Sequence, residues 1–428
     1  MSKVIVLGAQ HLGLVIAAGL VEKGHSVVLV DSDLSGIDLA RGQIGIYEPG
    51  VLDVLRAGLS ENRFALLGDT LAPDIDADIV WAAFDTPVNE ADIGDTGYVE
   101  EKIVSSLNNM PSVNACIISS QVPLSSVENI IRESPSHLAF CVSPENLRLG
   151  SSLDYFVNLD RLVMGVVDPS DREYFKAFGL TITSNVLLVS HKAAILGKHA
   201  LNSFLATSVS FINEIARLSD DLGVNCLEVA EILMSDKRIG ADAYLRPGPS
   251  FSGGTLARDL RYIEAMSLNS GIVLPLLSSV LPSNELHADW PVELILRRYP
   301  KPEEIKISIL GLAYKSGTDS IRRSYSIDLG KKLRDLGFSV VFYDPRVSDV
   351  PSLPGRLLVS VKDLVGDADL IVCMTTEAFP VDEIKAFLNE GKTLSMLDMT
   401  RMLESEFSSF EGLDYFSIGY SRGRFLDD

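Results

Sequence analysis

Lys3 to Asp31 reads KVIVLGAQHLGLVIAAGLVEKGHSVVLVD, and the reading of this stretch decides the fold. Lys3 to Leu7 is a short β-branched run suited to a buried strand. Gly8-Ala-Gln-His-Leu-Gly13 turns the chain, an apolar helix follows to about Lys23, and Ser26 to Val30 is a second strand ending at Asp31. Strand, glycine turn, helix, strand and acid in this order mark a dinucleotide site. The helix N-terminus there holds a pyrophosphate, and the acid takes ribose hydroxyls, which favours NAD over NADP. Gly8, Gln10, His11, Leu12, Gly13 and Asp31 are the candidate cofactor residues. The middle glycine of the usual fingerprint, which lets backbone approach the pyrophosphate, is Gln10 here.

Outward from this stretch the alternation continues. Ile79 to Phe84, Ala115 to Ser120, Leu138 to Val142, Arg161 to Val166 and Val186 to Ser190 read as buried strands between helical segments. Such alternation predicts a mostly parallel sheet covered by helices. Ligands of such sheets sit at the carboxyl ends of strands. The loops there are Asp85-Thr-Pro87, Ser119-Ser-Gln-Val-Pro123 and Ser143-Pro-Glu145, with Thr86, Gln121 and Glu145 as candidates. Thr86 and Glu145 read equally well as turn residues or helix caps.

Ser190 to Asp221 reads as one long amphipathic helix, with apolar residues at Leu201, Phe204, Leu205, Phe211, Ile212, Ile215 and Leu218. Lys198 and Asn202 are one turn apart on it. A cation and an amide side by side can stabilise a developing oxyanion; a solvated surface pair is the plain alternative. A glycine-rich segment follows, Leu245 to Asp259, in which Arg246, Phe251, Gly253, Arg258 and Asp259 resemble a site more than a linker. Pro282 to Pro302, with four prolines, reads as the boundary to a second α/β unit. In that unit Lys306 to Leu312 is a strand, Ile327 to Leu336 a helix, and Val340 to Tyr343, Leu370 to Met374 and Leu394 to Leu397 are strands. The turn Gly311-Leu-Ala-Tyr-Lys315 and the basic helix start at Arg322 suit a phosphate or diphosphate.

The 428 residues exceed one ordinary core, and 46% hydrophobic with 22% charged residues is a globular composition. A net charge of -21 argues against nucleic acid and anionic membranes as partners. Neither a signal peptide nor a membrane-spanning run is read from the sequence. The four cysteines lack metal-like spacing, so buried thiols in a reducing cytoplasm are expected, and no metal is.

These pieces together resemble the UDP-glucose/GDP-mannose/UDP-ManNAc dehydrogenases over nearly the full length. The matching motifs run in the family's order: GQIGIYEPGV (Gly42 to Val51), Thr86-Pro87, Val122-Pro123, Ser143-Pro-Glu-Asn-Leu-Arg148, Lys198-His-Ala-Leu-Asn202, Ser210-Phe-Ile-Asn-Glu214, Arg238-Ile-Gly240, Leu310-Gly-Leu-Ala-Tyr-Lys315 with Thr318-Asp319, and Tyr343-Asp-Pro345. The resemblance implies two Rossmann-like, doubly wound parallel-sheet domains joined by a long central helix. It divides the chain into an NAD-binding domain (1–190), a central helical and dimerisation domain (191–295) and a nucleotide-sugar domain (296–428). It implies a homodimer through the central helix, NAD as cofactor and a UDP-sugar as substrate. Lys198 and Asn202 map onto the oxyanion pair and Asp259 onto a proton-transfer residue. Thr86, Gln121 and Arg322 map onto cofactor contacts, and Asn146, Leu147, Arg148, Arg246, Phe251, Gly253 and Lys315 onto substrate contacts.

The family oxidises a sugar primary alcohol to a carboxylate in two NAD-dependent steps, through a thioester on a cysteine. Counting back from Asp259, that cysteine is Thr255 here, and a hydroxyl is far less acidic than a thiol. The acid of the family's Arg-Glu-Gly is Leu149, and the threonine before Val-Pro is Gln121. The expectation is an NAD-dependent oxidoreductase acting on a CH-OH group without the thioester step. The alternative is a catalytically inactive homologue that binds a nucleotide sugar or a partner.

Overall fold

A computed structural model describes residues 1–421 apart from 47, 69–76, 88–93, 146, 148–149, 253–254, 314–320, 322–323, 348–349, 351–352, 354, 367 and 376–379. The chain divides into two compact units, Met1–His199 and Ala200–Asp428.

The first unit carries β1 (Lys3–Leu7), β2 (Ser26–Val30), a two-residue hairpin of β3 (Ile37–Asp38) and β4 (Gln43–Ile44), and β5 (Phe64–Leu67). Then come β6 (Ile79–Ala82), β7 (Ala115–Ile118), β8 (Ala139–Val142), β9 (Leu162–Val166) and β10 (Val186–Ser190). Eight of these form one sheet in the order β10-β9-β8-β7-β6-β1-β2-β5. Its strands from β8 to β5 are parallel, while β9 meets β8 antiparallel. Central strands such as β6 and β7 are buried along their whole length. That is why they read as continuous apolar runs: helices cover both faces of a parallel sheet. On one face α1 (His11–Glu22), α2 (Val51–Ser60), α5 (Ser152–Val157) and α6 (Arg172–Gly179) build a core around Trp81, Phe156 and Phe175. On the other, α3 (Thr96–Asn108) and α4 (Leu124–Glu133) bury Val99, Ile103, Val127 and Ile130 against the sheet.

The long helix α7 (His191–Leu222) follows β10 directly. In the second unit come α8 (Cys226–Ser235), α9 (Thr255–Asn269) and α10 (Pro275–Arg298). Next are β11 (Lys306–Leu310), α11 (Tyr325–Asp335), β12 (Ser339–Tyr343), β13 (Arg356–Leu357), β14 (Leu370–Cys373), β15 (Leu394–Asp398), β16 (Leu413–Ser417) and β17 (Tyr420–Ser421). The sheet order is β13-β12-β11-β14-β15-β16-β17, with only β17 antiparallel to its neighbour. One core joins Ile212, Ala216, Cys226, Trp290 and Ile295 of the helices to Ile307, Val372 and Phe416 of the sheet. The central helices and the second sheet therefore share one core.

The proline-rich stretch from Pro282 is largely helical. Pro282 and Pro291 lie inside α10, which runs on to Arg298. Each proline removes one helical hydrogen bond. Against this, Val280, Asn284, His287, Pro291 and Ile295 recur at helical spacing and are buried. Tertiary burial of that stripe holds the helix together through both prolines.

The two sheets share one local device. Asp31 at the end of β2 accepts the backbone N–H of Ala9 (2.7 Å) and Asp33 (3.1 Å). Asp344, just past β12, accepts those of Leu312 (2.6 Å) and Arg346 (2.8 Å). In each unit the acid after the second strand fixes the turn after the first, so this acid has a structural role as well as any ligand role.

Candidate functional site

In the first unit the glycine turn is shaped by sterics. Gly8 has φ +101°, a conformation costly for other residues, and a Cβ at Gly13 would lie 1.7 Å from the Gly8 carbonyl oxygen. Gln10 stands at the N-cap of α1 without capping it. Its Oε1 instead accepts the Asp85 N–H at 3.1 Å. Thr86 Oγ1 donates to the Gln121 carbonyl at 2.8 Å. Leu12 is half-buried and packs on the core.

His11 turns away from the glycine turn. Its Nε2 lies 2.9 Å from Glu48 Oε2, and the buried Glu48 also accepts the N–H of Gly150 (3.0 Å) and Ser152 (2.6 Å). Burial pushes the Glu48 carboxyl up, but the bonds from His11, Gly150 and Ser152 outweigh it and hold it below the usual range. Glu48 is absent from the sequence-derived site residues, although it lies in the Gly42 to Val51 motif. Its role needs partners far along the chain that spacing cannot reveal.

Glu145 follows β8. Its Oε1 is shielded from water and takes no hydrogen bond among the described residues. Burial pushes its carboxyl up to about 7, opposed by the positive charge of Lys198. Lys198 is half-buried on the second turn of α7. Sequence separation hid this pairing, which the fold makes within one unit. Leu147 packs against the core of this unit.

In the second unit the Asn202 amide donates from Nδ2 to Asp259 Oδ2, with Asn202 5% and Asp259 0% exposed. Thr255 is the first residue of α9 and exposed; Asp259 lies one turn further on the same face. The loop before α9 is fastened at several points. Asn213 Oδ1 accepts the Gly248 N–H at 3.0 Å, and His287 Nε2 lies 2.9 Å from the Gly248 carbonyl. Asn284 takes the Phe251 N–H (2.9 Å) and donates to its carbonyl (3.0 Å). Phe251 packs on Ala206, Leu260 and Val280. Arg246 donates to the Arg401 carbonyl at 2.8 Å. Burial lowers the His287 imidazole to about 4, against the opposing Gly248 bond, so it is neutral near pH 7. Asn284 and His287 were not singled out in the sequence, because polar residues in a helix carry no signal until the loop they hold is known. Asn146, Arg148, Gly253, Lys315 and Arg322, and Leu149 with them, lie outside the described residues.

Three models of the UDP-glucose/GDP-mannose dehydrogenase family match: its NAD binding domain over residues 2–178, its central domain over 192–286 and its UDP binding domain over 308–404. A UDP-glucose 6-dehydrogenase of Pseudomonas aeruginosa is 32% identical over 365 residues, covering 80% of this chain and 79% of that protein. The chain belongs to the UDP-glucose/GDP-mannose dehydrogenase family. UDP-glucose 6-dehydrogenase TuaD of Bacillus subtilis is 28% identical, covering 98% of this chain and 93% of that protein. The structure of a UDP-glucose dehydrogenase from Pyrobaculum islandicum superposes with TM-score 0.84 at 25% identity, covering 98% of each chain.

NAD is the family's oxidant, and the first unit carries its NAD-binding domain. The residues present fit it at the glycine turn and at Asp31. At the diphosphate position, where a bare backbone is usual, the Gln10 side chain stands instead. Among the described residues no helix is long and apolar enough to cross a membrane.

Proposed function

We propose that this member of the family oxidises a CH-OH group of a UDP-sugar, or of a related nucleotide-linked compound, to the carbonyl stage and does not form the carboxylate. The observation that carries the reading is the buried Asn202 amide held by Asp259. An amide so anchored presents its remaining N–H in one orientation, which is what a preorganised oxyanion donor requires. Lys198 stands one turn earlier on α7, at the position that the family resemblance gives to the second oxyanion donor. Glu145 of the first unit, with its carboxyl near 7, has the acidity that a general base needs near neutral pH. NAD, when bound, accepts the hydride.

Thr255 argues for the early stop. A thiol attacks an aldehyde as its thiolate, and a threonine hydroxyl at the exposed start of α9 has no comparable acidity. Thr255→Cys is the test. The parent protein is expected to yield at most one NADH per sugar nucleotide and a carbonyl product, and Thr255→Cys two NADH and a uronate. Two NADH and a uronate from the parent would overturn the reading.

Helix α7 supports a homodimer. Phe204, Phe211 and Leu218, at seven-residue spacing, are 72%, 46% and 54% exposed, whereas Ile212 and Ala216 are fully buried. A helix apolar on two faces with one uncovered suits a second copy of this chain. Four buried free thiols fit a reducing compartment such as the cytoplasm. The inactive, ligand-binding alternative draws on Gln10, and the absence of any NADH with every sugar nucleotide would favour it.

A further inference from the structure

The order of the first sheet reverses between β6 and β1: β1 leads to β2 on one side, and β6 pairs with β1 on the other. In an open α/β sheet a ligand crosses at this point. Gln10 leaves the turn after β1, and its carboxamide oxygen takes the Asp85 N–H beyond the end of β6, at 3.1 Å. One side chain thus bridges the crevice at its switch point. A second bridge lies beside it, from Thr86 Oγ1 to the Gln121 carbonyl, tying the loop after β6 to the loop after β7 at 2.8 Å. The turn beneath cannot yield, because Gly8 and Gly13 are already in contact there, and a Cβ on Gly8 would meet Phe84 backbone at 2.9 Å.

Resting on the dinucleotide reading of this turn, we infer that Gln10 is a latch across the diphosphate end of the crevice. A dinucleotide binds when the carboxamide leaves the Asp85 N–H, and this exchange sets how tightly the chain holds it. The backbone N–H groups at the start of α1 and at Asp85 are the donors a diphosphate would use, and Gln10 stands between them. The latch acts on diphosphate alone, so a ligand without one is indifferent to it.

The test is calorimetric titration of the full-length parent, Gln10→Gly and Gln10→Ala with NAD, ADP-ribose and adenosine. In Gln10→Gly the Kd for NAD and for ADP-ribose is expected to fall about tenfold, the scale of one released neutral hydrogen bond. Gln10→Ala, which keeps Cβ, is expected to lie between parent and Gln10→Gly, and adenosine to bind all three alike. Equal NAD affinity in parent and Gln10→Gly overturns the latch, as does an equal gain for adenosine, or no NAD binding by any of the three. Failure of the oxidoreductase reading looks different: NAD and a sugar nucleotide both bind, and no NADH forms.

Discussion

Asn202 shows how one side chain is fixed by its surroundings. Its amide reaches a carboxylate that has no exposure at all. Asn202→Ala removes a donor to a buried charge, and about 1–3 kcal/mol of stability is expected to go with it, read from urea unfolding. A loss well below this would mean that water replaces the amide. Glu145 gives a second residue-scale expectation. Its folded pKa, about 7, lies above the ordinary 4.5. For an acid shifted upward the folded state binds the proton more tightly. The contribution of Glu145 to stability is therefore fullest below about pH 4.5 and falls as pH rises towards 7. Glu145→Gln is expected to flatten that slope in denaturation measured across this range. The same variant is expected to lower kcat by roughly 100-fold and to remove the rise in rate centred near neutral pH, because a general base works only when ionised.

At the scale of elements, α7 and α10 carry the second unit's architecture. The spacing of α7 was readable, but its apolar residues divide between a buried face and an uncovered one, and a sequence cannot assign them. Phe211→Glu with Leu218→Glu is expected to convert a dimer into a folded monomer, seen by light scattering with an unchanged far-ultraviolet spectrum. A parent that is already monomeric at micromolar concentration would refute the proposed interface. The helix through the α10 prolines was not readable in the sequence, because local propensity counts only the lost hydrogen bond. The stripe from Val280 to Ile295 is buried against partners distant in sequence. The loop from Leu245 to Phe251 stood out in the sequence as a candidate through its glycines and Arg246, yet its fastening by Asn213, Asn284 and His287 was not readable there.

At the scale of the whole molecule, two units with separate cores are expected to unfold as two calorimetric transitions. The first unit matches the NAD-binding model, and the UDP-binding model lies wholly in the second. NAD at about a hundred times its Kd is expected to raise one transition by roughly 5–10 °C, and UDP the other. A single transition that both ligands shift equally would show that the units unfold together.

The sequence by itself determined the strand–turn–helix order, since apolar runs of strand length between amphipathic helices have few other solutions. It also determined Gly8, Asp31, Lys198, Asn202 and Asp259 as candidates, because the motifs that carry them are local. Only the tertiary structure decided that Asn202 meets Asp259, that one Glu145 oxygen is shielded from water near the charge of Lys198, that Glu48 receives His11, and that Gln10 spans to Asp85. Each of these depends on residues 37 to 75 positions apart, or on burial from water, and neither quantity is written in the spacing of a sequence.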